Sequence, residues 1–547
     1  MTTDRALGFS SLDTEVSTTL PIEGDLPGWL SGTLIRNGPG SFAVGDREVG
    51  HWFDGLAMVH AFSFGADGDA DDGSDRNGGD ERSVTYRNRF LDTDAYRATQ
   101  AGEFAGGFAT GETTLRDRLK AFVFGDPYDN TNIIAERVGE KYFALTESPR
   151  WVEFDPRSLD TLSDTQYEGP KPSGQLACAH TQRDPWTDRL VNFEIEFGRR
   201  SAYHVYEMRA PSRREHVVSI PVDEPGYMHS FALTPTFVTL TEFPLVVDPT
   251  QALRPGKQGP FIENFEWKPE LGTRFYVIDR HRGEVIAAPR TDAFFGFHHI
   301  NAYETDRSAG NAGSTGDTVN DRNEGSEADE GELVIDLETV PDAESLGAAS
   351  LSSLREDEME IPGGRIERFR VRIDGRANAD ISRDEIHPGA TSLPTVSPAR
   401  WGRGYRYAYA QGGDQPMTDW LREVVKVDVE SGETTAFADD GSYLGEPIFV
   451  PRPDRKNGPE ASENGDGETE DDGRQDRFPV RSESGGRDLP EDDGVVLTVA
   501  LDTDAEVSRL LVLDGETMTE RARATVPHAI PFDFHGRYFP ELRARPA

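Results

Sequence analysis

The residues best suited to chemistry in this 547-residue chain are its histidines. Twelve are present, and several sit in apolar company at the ends of strand-like runs. His180 lies in QLACAHTQRDP, His229 in GYMHSFALTPTFVTLTEFPL, the pair His298 and His299 in FFGFHHINAYE, and His528 and His535 in VPHAIPFDFHGRYFP. Neutral imidazole is a common metal ligand. Each position, taken alone, also fits a histidine packed in the core. The spacing from 180 to 229, 298 and 535 does not itself prove convergence, and no HExxH pair fixes a local site. The adjacent pair has one consequence. Successive side chains of an extended strand point to opposite faces, so only one of His298 and His299 can reach a given site. The single cysteine, Cys178, excludes an intramolecular disulfide framework and a cysteine-based zinc site. No GxGxxG-type nucleotide fingerprint is present.

The elements that must position these histidines read as β. Short runs rich in Val, Tyr, Phe and Ile alternate with turns, and long amphipathic helices are few. A refrain recurs: a strand, an aspartate, then a short polar turn. It appears at Asp155 in WVEFDPRSLDTL, Asp279 in FYVIDRHRGEV, Asp428 in VVKVDVESGETT and Asp514 in LLVLDGETMTE. Asp caps hairpins by local hydrogen bonding. Degenerate hairpins spread along a chain suggest propeller blades, with two stacked β domains as the alternative. One segment differs. In TTLRDRLKAFVFG, Leu115, Leu119, Phe122 and Val123 form a helical stripe, and Phe104 and Phe108 lie among glycines just before it. This region reads as a docked surface helix or as a greasy patch facing a membrane or an apolar substrate.

The formal net charge of −42 disfavours nucleic acid as a partner. Of 57 basic residues only seven are Lys, and a heavy acid surplus with scarce Lys suits a protein working in high salt. Residues near 66–82, 306–332 and 454–493 carry net charges of −5, −6 and −8. They are too polar to offset the entropy of ordering, so flexible acidic insertions are expected within one domain spanning 1–547. The N-terminal residues lack the basic and apolar regions of a signal peptide, and no run approaches a membrane span. A cytoplasmic protein is expected.

An ordered set of motifs resembles the carotenoid cleavage oxygenases. It comprises LSGTLIRNGPGSF at 30–42, HWFDGLAMVHAFSF at 51–64, then AHTQRDP, MHSFALT, FHHINAYE, GEPIFVPRP and PFDFHG. The resemblance runs from about residue 20 to about 540 and is interrupted by the acidic segments. It implies an all-β, seven-bladed propeller with a helical or loop cap, and one Fe(II) per chain on the axis. The motifs place its four ligands at His180, His229, His298 and His535. His299 then faces away, and Gly296 shares the His298 face, where it would leave room near a metal. His51, His60 and His528 match no ligand and read as structural. The family backs its ligands with glutamates, since a ligating imidazole needs its other N–H bonded. Glu147 and Glu446 match two of these positions. The third falls on Ser392 in GATSLPTVSP, a departure from the family pattern.

The resemblance further implies O2 as co-substrate and oxidative cleavage of a C=C bond in a carotenoid or apocarotenoid to two aldehydes; the sequence does not specify the bond, and retinal is one candidate product. Phe231, Phe295, Phe297, Tyr303, Phe534 and Tyr538 are candidates to line a substrate tunnel. Phe104, Phe108, Leu115, Leu119 and Phe122 are candidates for an entrance that touches a membrane surface without spanning it. The alternatives are a stilbene-type dioxygenase, a retinoid isomerohydrolase, and a propeller scaffold without catalysis.

Overall fold

The structure is a computed structural model. It describes residues 4–66, 82–103, 107–110, 129–164, 174–210, 212–249, 261–305, 331–356, 359–373, 379–453 and 489–543. Its antiparallel sheets resolve into seven blades in chain order. Blade 2 is Ile134–Val138, Lys141–Leu145, Val152–Phe154 and Thr161–Asp164. Blade 3 opens on two short inner pieces, Leu176–Ala177 and Gln182–Arg183, which both pair with Leu190–Glu196. Blade 4 opens on Ala232–Leu233. Blades 5 and 6 share one seven-stranded sheet, because Ile381–Val396 ends one blade and begins the next. The register slips between Ser392 and Thr395, and Leu393 sits there at φ 49°. Blade 7 contains Ile448–Pro451 and Gly494–Asp502.

Both chain ends close the ring. In blade 1, Gly32–Ser41 pairs on one side with Leu56–Ala66 and on the other with the C-terminal His535–Phe539. In blade 7, the N-terminal Ile22–Gly24 pairs with Glu520–Thr525. Apolar clusters then join neighbouring blades. Val59 of blade 1 shares a cluster with Ala135 and Phe154 of blade 2. Phe143 and Leu145 pack with Leu190 and Met208 of blade 3. One large cluster runs from Phe193 through Val238 to Ile335, across blades 3, 4 and 5. Ile366 packs with Val396 and Val425, and Tyr409 with Phe449 and Val496. Val450 and Leu497 meet Leu34 and Phe62, which completes the circle.

The aspartate refrain marks the same hairpin in four blades. Asp155, Asp279, Asp428 and Asp514 each accept, through Oδ1, from the backbone N–H groups two and three residues on. Each turns the third strand of its blade into the fourth.

The inner strands of blades 1, 4, 5 and 7 start at the rim that carries the histidines. Strand direction then places the ends flanking the acidic segments, Ala66 and Arg82, Thr305 and Gly331, and Pro451 and Gly494, on the opposite rim. The acidic segments themselves lie outside the described residues, save their edges. One edge departs from the expected flexible loop. Glu491 accepts from the backbone of Arg406 and Tyr407, and Asp492 pairs with buried Lys426 at 2.6 Å. Leu115, Leu119, Phe122 and Phe104 also lie outside the described residues. No described helix is long and apolar enough to cross a membrane.

Candidate metal centre

His180, His229, His298 and His535 meet on the inner sides of four blades, each with one ring nitrogen within 4.8 Å of the others. His180 stands on the bulge between the two inner pieces of blade 3, held by Asn192 Nδ2 donating to Cys178 O at 2.9 Å. His229 lies just ahead of the inner strand of blade 4, His298 immediately precedes that of blade 5, and His535 opens the C-terminal strand opposite Asn37. Ring centroids of His180 lie 4.6, 5.2 and 4.3 Å from those of His229, His298 and His535.

Three of the rings are backed by carboxylates. His229 Nδ1 bonds Glu147 Oε1 at 2.6 Å, His298 Nδ1 bonds Glu338 Oε2 at 2.8 Å, and His535 Nδ1 bonds Glu446 Oε1 at 2.8 Å. A carboxylate makes Nδ1 the protonated nitrogen, so Nε2 carries the lone pair and faces the common centre. Burial first, then the neighbouring rings, holds His180 and His298 well below the usual imidazole range, and burial lowers His535. These three are therefore neutral donors. Nε2 of His180 and of His229 stand 3.0 Å apart, and buried Nε2 of His298 has no protein partner. Converging lone pairs with an orphaned buried nitrogen fit a transition-metal dication. Imidazole suits iron, zinc or copper, so the donor set alone does not choose the metal.

Glu338 corrects the sequence reading, which put Ser392 third. Ser392 lies opposite Gln411 on the strand shared by blades 5 and 6. Glu338 is on Gly331–Thr339, directly across the hairpin from the histidine pair, where His299 faces Leu337. Its one signal in the sequence is an acid inside the apolar run LVIDLETV. Burial pushes its carboxyl up to about 8; a cation held by His298 would oppose that shift. Gly296 is also corrected. A Cβ there would lie 2.4 Å from Glu338 O, so the glycine makes room for the partner strand and not for a metal.

His299 faces away as parity requires: Nδ1 bonds Ser230 Oγ at 2.7 Å and Nε2 bonds Thr241 Oγ1 at 2.8 Å. His528 bonds Tyr86, which also bonds His60, and His51 bonds Leu346 O.

Of the tunnel candidates, Phe297 and Phe534 stand beside the site. Phe297 is 5.4 Å from His229 and 6.0 Å from His298, and Phe534 packs on Trp52 at 4.6 Å. Phe295 lies behind Phe297, and Phe231 packs on Phe193 in the core. Tyr303 and Tyr538 do not belong to this wall. Tyr303 packs on Tyr405, and Tyr538 packs on Phe64 and donates to Ser31 O. Each lies several residues beyond its histidine, which carries it farther down the strand and away from the site. Phe53 was missed; it joins Phe297, Phe534 and Phe108. Phe108, the described member of the entrance group, also packs on Tyr227 and Phe261.

Known proteins share this arrangement of blades. The chain is 30% identical to carotenoid cleavage dioxygenase 8 homolog A, chloroplastic, of Oryza sativa subsp. japonica, covering 95% of this chain and 85% of that protein. It is 28% identical to torulene dioxygenase of Fusarium fujikuroi, covering 95% and 91%. In fold it matches a variant of Synechocystis apocarotenoid oxygenase, with a TM-score of 0.74 at 24% identity over 98% of both chains. A cobalt-substituted form of that oxygenase matches with a TM-score of 0.73, also at 24% identity over 98% of both chains. The chain belongs to the retinal pigment epithelial membrane protein family, whose family model matches residues 9–540.

Proposed function

We propose that this chain is a non-haem Fe(II) dioxygenase that cleaves a C=C bond of a carotenoid or apocarotenoid to two carbonyl products. The observation that carries this reading is the convergence of four imidazoles, three backed by carboxylates, on a point where His298 Nε2 is buried without a protein partner. Ferrous iron held there supplies O2 chemistry: both oxygen atoms enter one conjugated double bond, R–CH=CH–R′ + O2 → RCHO + R′CHO, with no external reductant. The chain's own residues do the rest. Glu147, Glu338 and Glu446 keep the Nδ1 protons of their histidines in place and aim the rings. Phe297, Phe53 and Phe534 form an apolar wall that accepts a polyene and excludes water, as ligand sites with aromatic linings do.

The relatives named as carotenoid or torulene dioxygenases support the substrate class. Phe108 is half-buried and joins the aromatic wall through Phe53 and Phe261, and the side beside it is our candidate for substrate entry and for peripheral contact with a membrane surface. The whole chain would act as one unit. The net charge of −42 supports work at high salt, so Tm should rise with KCl.

The experiment is incubation of the iron-loaded protein with β-carotene, apocarotenals and a hydroxystilbene under 18O2. Two aldehydes, each gaining one labelled atom before exchange, are expected from a carotenoid. Cleavage of the stilbene alone, or isomerisation without label, would overturn the substrate assignment. A protein that purifies without stoichiometric iron and binds none would be a scaffold.

A further inference from the structure

The three carboxylates that back the imidazoles have unequal surroundings. Glu147 also accepts from Tyr227. Glu446 is held on both oxygens: Oε1 accepts from His535 Nδ1, while Oε2 accepts from Gly536 N at 2.6 Å and Arg36 Nη1 at 2.8 Å. Arg36 is 1% exposed and comes from Gly32–Ser41 of blade 1, whereas Glu446 belongs to blade 7. A guanidinium has five N–H donors, and each of these finds an acceptor. Nε donates to Asp533 Oδ2 at 2.8 Å, and Nη2 donates to Asp533 Oδ1 and to Phe534 O at 3.4 Å. Nη1 donates to Glu446 Oε2 and to Glu446 O at 3.3 Å. Gly536, opposite Arg36 in the strand register, opens the path: a Cβ there would lie 2.6 Å from Arg36 Cδ.

We propose that Arg36 is the positioning residue of the metal centre, locking Glu446, and through it His535, at the seam where the first and last blades close. The proposal rests on the four-histidine metal reading. His229 and His298 enter the site from blades 4 and 5, which follow each other along the chain, while His535 arrives from the closing strand. A metal that needs all four binds the closed ring in preference to an open one and so stabilises closure. Arg36 spans that seam, so its loss loosens the ligand and the closure together.

A second buried fork serves as control. Arg368 Nε and Nη2 donate to Asp336 at 2.7 Å each, and Tyr405 donates to Asp336 Oδ2 at 2.6 Å. This fork lies within blade 5 and its neighbour, away from the seam.

The test titrates full-length apoprotein with Co(II), read by visible absorption, and measures Tm with and without Co(II). Arg36→Met should weaken Co(II) binding by roughly 10–100-fold and shrink the Co(II)-induced rise in Tm. Arg368→Met should lower Tm while keeping wild-type affinity. Glu446→Gln should repeat the affinity loss, and adding Arg36→Met to it should cost little more, since both act through one bond. If Arg36→Met does not fold, Arg36→Lys keeps the charge but loses the fork and should show the same weakening. Wild-type protein that binds no Co(II) sinks the metal reading itself. Wild-type affinity in the Arg36 variant that folds, or equal weakening in Arg368→Met, overturns the role of Arg36 alone.

Discussion

Buried imidazoles occur in two regions of this molecule. At the axis, His229, His298 and His535 give Nδ1 to a carboxylate and turn Nε2 to a shared point. Behind the axis, His51, His60 and His299 bond hydroxyls and backbone groups. His298 and His299 make the contrast at adjacent positions. Burial does not separate the two sets; the partner does. A hydroxyl can donate or accept, so it satisfies a neutral imidazole in either tautomer. A carboxylate only accepts, so it fixes one tautomer and leaves a lone pair that asks for a cation.

The largest expected effect breaks the comparison outright. His180→Ala, His229→Ala, His298→Ala or His535→Ala should abolish stoichiometric iron, measured by metal analysis, while His299→Ala and His528→Ala retain it. Iron kept by His298→Ala and lost by His299→Ala would reverse the assignment. Next, Glu338→Gln keeps the shape but removes the charge behind His298. It should weaken metal binding on the order of 10–100-fold, read by Co(II) titration.

The outer imidazoles should show themselves through pH. Burial lowers His60 from 6.5 to about 3. Below 6.5 the unfolded chain takes up a proton that the folded one refuses. The stability this group contributes is thus full above pH 6.5 and is lost as pH falls toward 3, by up to about 1.4 kcal/mol per unit. Urea unfolding of His60→Gln should show a flatter acid limb than wild type; an unchanged slope would discard the buried neutral state. A smaller effect is expected at Tyr227→Phe, which removes the phenol O–H donated to Glu147 at 2.8 Å. It should cost about 1 kcal/mol, a few-fold in Co(II) affinity. Ser392→Ala should leave metal binding unchanged, and any loss there would reopen the place given to Glu338.

The legible part of the site was what parity and local motif carry. Strand alternation allows only one of His298 and His299 to reach the site, the family motif picks His298, and Glu147 and Glu446 lie in stretches that match the family's glutamate positions. Glu338 was not legible, because an acid in an apolar strand says nothing about which residue it will face. It meets His298 only because the two strands form one hairpin. Tyr303 and Tyr538 misled for a related reason: nearness to a histidine in sequence is not nearness in space, because a strand carries each successive residue farther from the site. Gly296 lay on the expected face, yet what approaches it is a backbone carbonyl from the next strand.

By itself the sequence determined the strands, the aspartate turns that pair them and the face each side chain takes, because these rest on contacts between residues close in the chain. Only the tertiary structure decided that residues 180, 229, 298 and 535 share one centre. That meeting depends on seven blades packing side by side through clusters of distant apolar residues, and on two chain ends pairing to shut the ring.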